Sequence, residues 1–181
     1  IGIKKHFTIT SHITFGCDPR PLVELVINYG VVPLQDLEPK NIYNNTKVFI
    51  NGNWIGIHTK PSLLIEYLKH FRRNGIINIF TSISWNIDDM EIVILTDGGR
   101  ICRPLYILKD NELVIKQNHI EQLKSGDINW NTLLNGFKNT EELDNYNCAI
   151  KDYSYFDQNN LIGDLSESMA PIEMIDTEEM N

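Results

Sequence analysis

Cysteine is scarce in this chain, with three residues among 181, at positions 17, 102 and 148. That odd number at wide, unpatterned spacing excludes a disulfide framework and a Cys-x-x-Cys metal knuckle, so a reducing compartment is expected. No run of about 18 apolar residues occurs, which removes a membrane-spanning helix from consideration. The opening Ile1-Gly-Ile-Lys-Lys-His-Phe7 has neither an initiator methionine nor the apolar stretch of a signal peptide, and the chain stops at Glu178-Glu-Met-Asn181; both ends read as cuts through a longer polypeptide. Also missing are the Gly-x-Ser-x-Gly elbow, the Gly-x-x-x-x-Gly-Lys-Ser/Thr phosphate loop, the Gly-x-Gly-x-x-Gly fingerprint and His-Glu-x-x-His. With them go the usual hydrolase, nucleotide-cradle and metalloprotease readings. What remains, 42% hydrophobic residues and seven prolines, suits one compact domain or two small ones.

An excess of positive charge is lacking as well: the net charge is −8. Phosphate binding calls for Lys and Arg, so this figure argues against nucleic-acid work until it is located. Residues 1–120 hold thirteen Lys and Arg against eleven Asp and Glu, a net of +2, and residues 121–181 hold three against thirteen, a net of −10. The acidity belongs to the last third, where a solvated acidic arm or a second structural unit is expected.

Punctuation along the chain predicts an α+β organisation. Asp18–Tyr29 reads as a helix with Pro19 and Pro21 at its start, Asp18 placed to cap it and Gly30 stopping it. Pro33, Pro39 and the polar Asn41-Ile-Tyr-Asn-Asn-Thr46 then mark a linker, with a boundary near residue 45. Lys47 to Ile57 is two β-prone runs around Asn51-Gly52, the dipeptide that best tolerates a type I′ hairpin turn. Pro61 to Arg73 has apolar residues at helical spacing, proline in the first turn, basic residues in the last and Gly75 just beyond. Strands are predicted over 81–87, 91–95 and 100–108, the last interrupted by Pro104 and hence an edge or a bend. Weaker signals place a strand near Leu113–Ile115 and short helices at His119–Lys124 and Trp130–Gly136. Residues 137–171 mix Asn, Asp, Tyr and Glu without a period and read as a long insertion-like loop. Two small mixed lobes are expected, the first a hairpin and amphipathic helix on an antiparallel sheet. Burial of Leu64, Leu68, Phe71 and Trp54 should contribute about 1.5–3 kcal/mol each.

Few residues have chemical appeal. His6, His12, His58, His70 and His119 are scattered without metal-ligand spacing. Asp88-Asp89-x-Glu91 resembles a cation cluster but lies between two strands, where a solvated turn calls for acids anyway. Cys17 precedes a helix start that would favour its thiolate, yet no histidine is paired with it by motif. The basic set Lys69, Arg72, Arg73, Arg100 and Arg103 is the one cluster suited to phosphates, and solvated or salt-bridged side chains are the ordinary alternative. Trp54 and Tyr67 sit at periodic positions that suit a core better than base stacking. From chemistry alone this is a non-catalytic module, with no catalytic, cofactor-binding or metal residue assigned. The alternatives are a free-standing module binding nucleic acid through its basic helix end, and a small hydrolase using Cys17.

The residues also resemble a family. Lys47-Val-Phe-Ile-Asn-Gly-Asn-Trp-Ile-Gly-Ile-His58, Phe71-Arg-Arg-Asn-Gly75 and Glu91-Ile-Val-Ile-Leu-Thr-Asp-Gly-Gly-Arg-Ile-Cys-Arg-Pro-Leu105 are similar to the second-largest subunit of eukaryotic-type DNA-directed RNA polymerases. Ser11-His-Ile-Thr-Phe-Gly-Cys-Asp18-Pro19-x-Pro21, with Tyr29-Gly30-Val-Val-Pro33-Leu34, looks like that family's exit from its fork region, and Trp130-Asn-Thr-Leu-Leu134 and Ile172-Glu-Met-Ile-Asp176-Thr-Glu-Glu179 look like the start of its next module. The resemblance implies a connector over 1–45, the first external domain over 46–108, and a linker and the start of the second external domain over 109–181, with an insertion at about 136–171. It implies a role in transcribing DNA into RNA, with magnesium in the whole enzyme held by the largest subunit and none of the family's catalytic motifs in this stretch. It implies other polymerase subunits, chiefly the largest, as partners, DNA and RNA only through the whole enzyme, no membrane, and residence in nucleus or cytoplasm. Gly98 stands where that family usually has alanine. The abundance of asparagine and isoleucine, 20 and 26 residues, suits an AT-rich source such as a giant DNA virus and, with it, packaging in a virion.

Overall fold

The computed structural model describes residues 6–135 and 170–180. In chain order it has β1 (His12–Ile13), α1 (Arg20–Asn28), β2 (Val32–Pro33), 3-10 turns at Leu34–Asp36 and Pro39–Asn41, β3 (Thr46–Ile50), β4 (Asn53–His58) and α2 (Pro61–Arg73). There follow β5 (Ser82–Asn86), β6 (Glu91–Leu95), β7 (Ile101–Tyr106), β8 (Leu108–Lys109), β9 (Glu112–Leu113), α3 (Gln117–Ser125), α4 (Trp130–Asn135) and β10 (Ile172–Asp176). Helices and sheets of this order make an α+β chain, as expected.

The main sheet has the order β2-β4-β3-β6-β5. Two antiparallel hairpins, β3/β4 and β5/β6, lie side by side and are joined through a parallel β3–β6 pair running from Lys47 opposite Glu91 to Ile50 opposite Ile94. The sheet is therefore mixed, antiparallel within each hairpin as expected and parallel where the two hairpins meet. The reason is the helical crossover: α2 carries the chain from the first hairpin to the second, which brings β6 back parallel to β3. The first hairpin turns at Asn51 and Gly52, whose φ angles of 49° and 78° are those of a type I′ turn. Its register shifts between Val48 and Phe49, leaving Ile55 as an extra residue; Trp54 Nε1–H spans the bulge to the Gly56 carbonyl at 2.8 Å.

Alternation follows burial. Val48 and Ile50 on β3 and Ile92 and Ile94 on β6 turn to one face, where Leu22, Leu25 and Val26 of α1 and Leu64, Leu68 and Phe71 of α2 cover them. Trp54, expected in this core, is only half-buried and stacks on Phe49 at 6.2 Å. Tyr67 packs on Tyr29 at the core margin.

A second sheet has the order β1-β7-β10, and a second cluster gathers Cys102, Leu133, Leu134, Ile172 and Met174. Pro104, which marked β7 as an edge or a bend, lies in the strand at the centre of this sheet. It is tolerated because β1 pairs only with Ile101 and Cys102, so at position 104 β7 has a neighbour, β10, on one side alone. The 108–113 stretch forms a small hairpin, and α3 ends at Gly126, φ 85°. The proposed insertion lies almost wholly outside the described residues.

Candidate functional site

The basic set singled out in the sequence is where the structure concentrates charge. α2 is amphipathic, and Leu64, Leu68 and Phe71 turn its apolar stripe to the core. Arg72, next to Phe71, is carried inward with them to 2% exposure. Its guanidinium makes a two-pronged contact with Glu179, Nη1–H to Oε2 at 2.5 Å and Nη2–H to Oε1 at 2.8 Å, and donates further to Glu173 Oε2 at 3.1 Å and the Thr81 carbonyl at 2.8 Å. Arg73 Nε–H and Nη2–H grip the two oxygens of Glu173, each at 3.1 Å. Lys69 Nζ stands 3.7 Å from Glu179 Oε1. Bidentate pairing of this kind is what the planar guanidinium favours.

A second knot lies beside it. Arg100 Nη1–H donates to Asp176 Oδ2 at 2.5 Å and Nη2–H to the Phe80 carbonyl at 2.7 Å, while Ser82 Oγ–H and the Glu179 amide both donate to Asp176 Oδ1. Thus four of the five basic residues are engaged by three acids of the C-terminal segment, Glu173, Asp176 and Glu179. Arg103, on β7 opposite Ile175, is exposed. A phosphate approaching Arg72 or Arg73 would have to compete with these carboxylates.

Electrostatics fit the geometry. Burial opposes the Arg72 charge most strongly, but hydrogen bonds and charge from Glu179 and Glu173 outweigh it and hold the guanidinium firmly cationic. At Glu173 burial is again the largest influence and pushes upward, yet the Arg73 hydrogen bond and the charges of Arg72 and Arg73 together bring the carboxyl below its ordinary value. His70, two residues before Arg72, is pushed down by burial and then by Arg73; its Nε2 and the Arg72 Nε are buried with no hydrogen-bond partner among the described residues.

The other candidates disperse. His58 is buried, accepting the Lys60 amide at Nδ1 and so donating from Nε2 to the Tyr29 carbonyl at 3.1 Å. His12 rests near Phe80, His119 accepts the Lys116 amide at the start of α3, and His6 is exposed. Asp89 exchanges hydrogen bonds with Asn86 across the β5–β6 turn. Cys17 lends its backbone to Thr96, and the Cys102 thiol, raised by burial, donates to the His12 carbonyl at 3.4 Å. Cys148 lies outside the described residues. Among the described residues no three His, Cys, Asp or Glu side chains converge as a metal ion would require, and no helix is long and apolar enough to cross a membrane.

Sequence reasoning missed the acids. Their signal was the three-residue step of Glu173, Asp176 and Glu179, but nothing local ties it to arginines 76 to 107 residues earlier. What the arrangement does chemically is neutralise buried charge and fasten the last strand.

Residues 48–109 match the family model described as RNA polymerase Rpb2, domain 4. The chain is 34% identical over 177 residues, 96% of its length, to the DNA-directed RNA polymerase II subunit RPB2 of Encephalitozoon cuniculi, of which this covers 16%. It is 38% identical over 129 residues to the corresponding subunit of Schizosaccharomyces pombe, covering 67% of the chain and 11% of that protein. It is also 38% identical over 130 residues to the RNA polymerase III subunit rpc2 of Dictyostelium discoideum, 69% of the chain and 8% of that protein. With the Asn-Gly hairpin, the α2 helix and the Thr96–Leu105 turn and strand in place within the matched residues, the chain belongs to the family of second-largest subunits of eukaryotic-type DNA-directed RNA polymerases.

Proposed function

We propose that this chain is a non-catalytic structural part of a polymerase second-largest subunit, contributing to the enzyme that copies a DNA template into RNA. The chain spans between 8 and 16% of the length of these three relatives. The observation that carries the reading is the engagement of its charged groups: Arg72, Arg73 and Arg100 are spent on Glu173, Asp176 and Glu179, which leaves them fastening the fold. Magnesium chemistry belongs, in this reading, to residues elsewhere in the polymerase; the acids described here are each paired or scattered, do not fit a cation cage, and no step is routed through them.

The partners are other polymerase subunits, the largest foremost, with DNA and RNA met only through the whole enzyme, in the nucleus or cytoplasm. The match over 48–109 supports a first external domain near 46–108, preceded by a connector and followed by the start of a second. The Asn and Ile richness supports a giant-virus source, which would add the virion as a location.

The test is template-dependent RNA synthesis by the chain alone, supplied with DNA, nucleoside triphosphates and magnesium. No RNA above background is expected; synthesis proportional to added chain would overturn the reading.

A further inference from the structure

Asn135 and Ala170 both rest against the end of α2. Gly75 faces Asn135 so closely that a Cβ there would lie 3.0 Å from the Asn135 carbonyl oxygen, and the Ala170 amide donates to the Arg73 carbonyl at 2.9 Å. The segment after Ala170 makes its own set of contacts. It pairs with β7 over five residues, from Ile172 opposite Tyr106 to Asp176 opposite Cys102. Ile172 and Met174 enter the second apolar cluster, and the Ser84 hydroxyl donates to the Glu178 carbonyl. Glu173 and Asp176 have opposite parity and so leave opposite faces of the strand, and the body supplies a cation to each. Arg72 and Arg73 meet Glu173, Arg100 meets Asp176 from the other side, and Glu179 in the following turn returns to Arg72.

We propose that the end of α2, the β7 edge and Arg100 form a strand-docking site selective for an extended acidic segment with carboxylates three residues apart, filled in this chain by its own residues 170–180. Apolar contacts and the ladder supply adhesion, and the arginines supply selection. The docked segment is separable from the body without loss of its binding determinants.

The test uses the full chain with one specific protease site introduced near residue 155, cut after folding. Native mass spectrometry should find the two pieces still associated. A fluorescent peptide of residues 168–181 should exchange into the cut protein, and the same peptide carrying Glu173→Gln, Asp176→Asn and Glu179→Gln should bind at least about tenfold more weakly, since its receptor charges are left buried and unpaired. Separation of the pieces on cutting, or equal binding of the neutralised peptide, would overturn the proposal.

Discussion

Arg72 is the side chain on which most depends. It sits at 2% exposure beside carboxylates that are themselves nearly sealed, with Glu179 at 4%. Removing one member of such a buried set strands the others, so Arg72→Met is expected to destabilise the chain by about 3–5 kcal/mol, read as a lower urea midpoint at unchanged slope. Arg72→Lys keeps the charge but loses the planar fork and should fall between the two. Acid provides a separate check. Because the folded Glu173 carboxyl titrates below its ordinary value, its contribution is fully present above that ordinary value, near pH 4.5, and is lost as pH falls through the lower folded value. His70 acts earlier: with its folded value below 6.5, stability begins to fall as pH drops past 6.5. The melting temperature of Glu173→Gln should therefore vary less than that of the parent below pH 4.5, while the loss beginning near 6.5 persists. The helical position of Arg72 is legible in the sequence. Its burial is not, because the partners that make it tolerable lie 101 and 107 residues later.

At the scale of elements, local chemistry was readable and long-range adjacency was not. Asn51-Gly52 specified its turn, and Pro61, the basic last turn and Gly75 bounded α2 at Pro61–Arg73. Alternation at Ile92 and Ile94 marked β6. Nothing in a two-residue period says which edge a strand will meet, so the parallel β3–β6 contact and the place of β7 between β1 and β10 were hidden. The loop at Thr96–Arg100 shows the cost of such contacts. Thr14 and Cys17 bond to it through the backbone, with Cys17 N–H on the Thr96 carbonyl at 2.9 Å and Gly99 N–H on the Thr14 carbonyl at 3.0 Å. A Cβ at Gly98 would lie 2.9 Å from the Gly16 nitrogen and 3.2 Å from the Thr14 oxygen. Gly98→Ala, though alanine is what the family resemblance leads one to expect there, should cost about 1–3 kcal/mol here, since backbone and not a flexible side chain has to move. Hydrogen exchange should show the loss concentrated at the amides of residues 14–17 and 99–100.

For the whole molecule, the net charge of −8 changes meaning once it is placed. Three of the thirteen acids after residue 120 are the counter-ions of Arg72, Arg73 and Arg100, so charges that look segregated in the sequence meet in the fold. Glu173, Asp176 and Glu179 thus offset Arg72, Arg73 and Arg100 across a long stretch of sequence. The role proposed for this part of the polymerase is to support assembly and leave the chemical step alone. It is tested most directly by placing Arg72→Met with Arg73→Met in the complete second-largest subunit, purifying the assembled polymerase, and measuring both its yield and its elongation rate per assembled enzyme. The account predicts a lower yield or a lower thermal midpoint with an elongation rate within about twofold of the parent, a shift under roughly 0.4 kcal/mol in barrier. A polymerase that assembles normally yet elongates tenfold more slowly would contradict it.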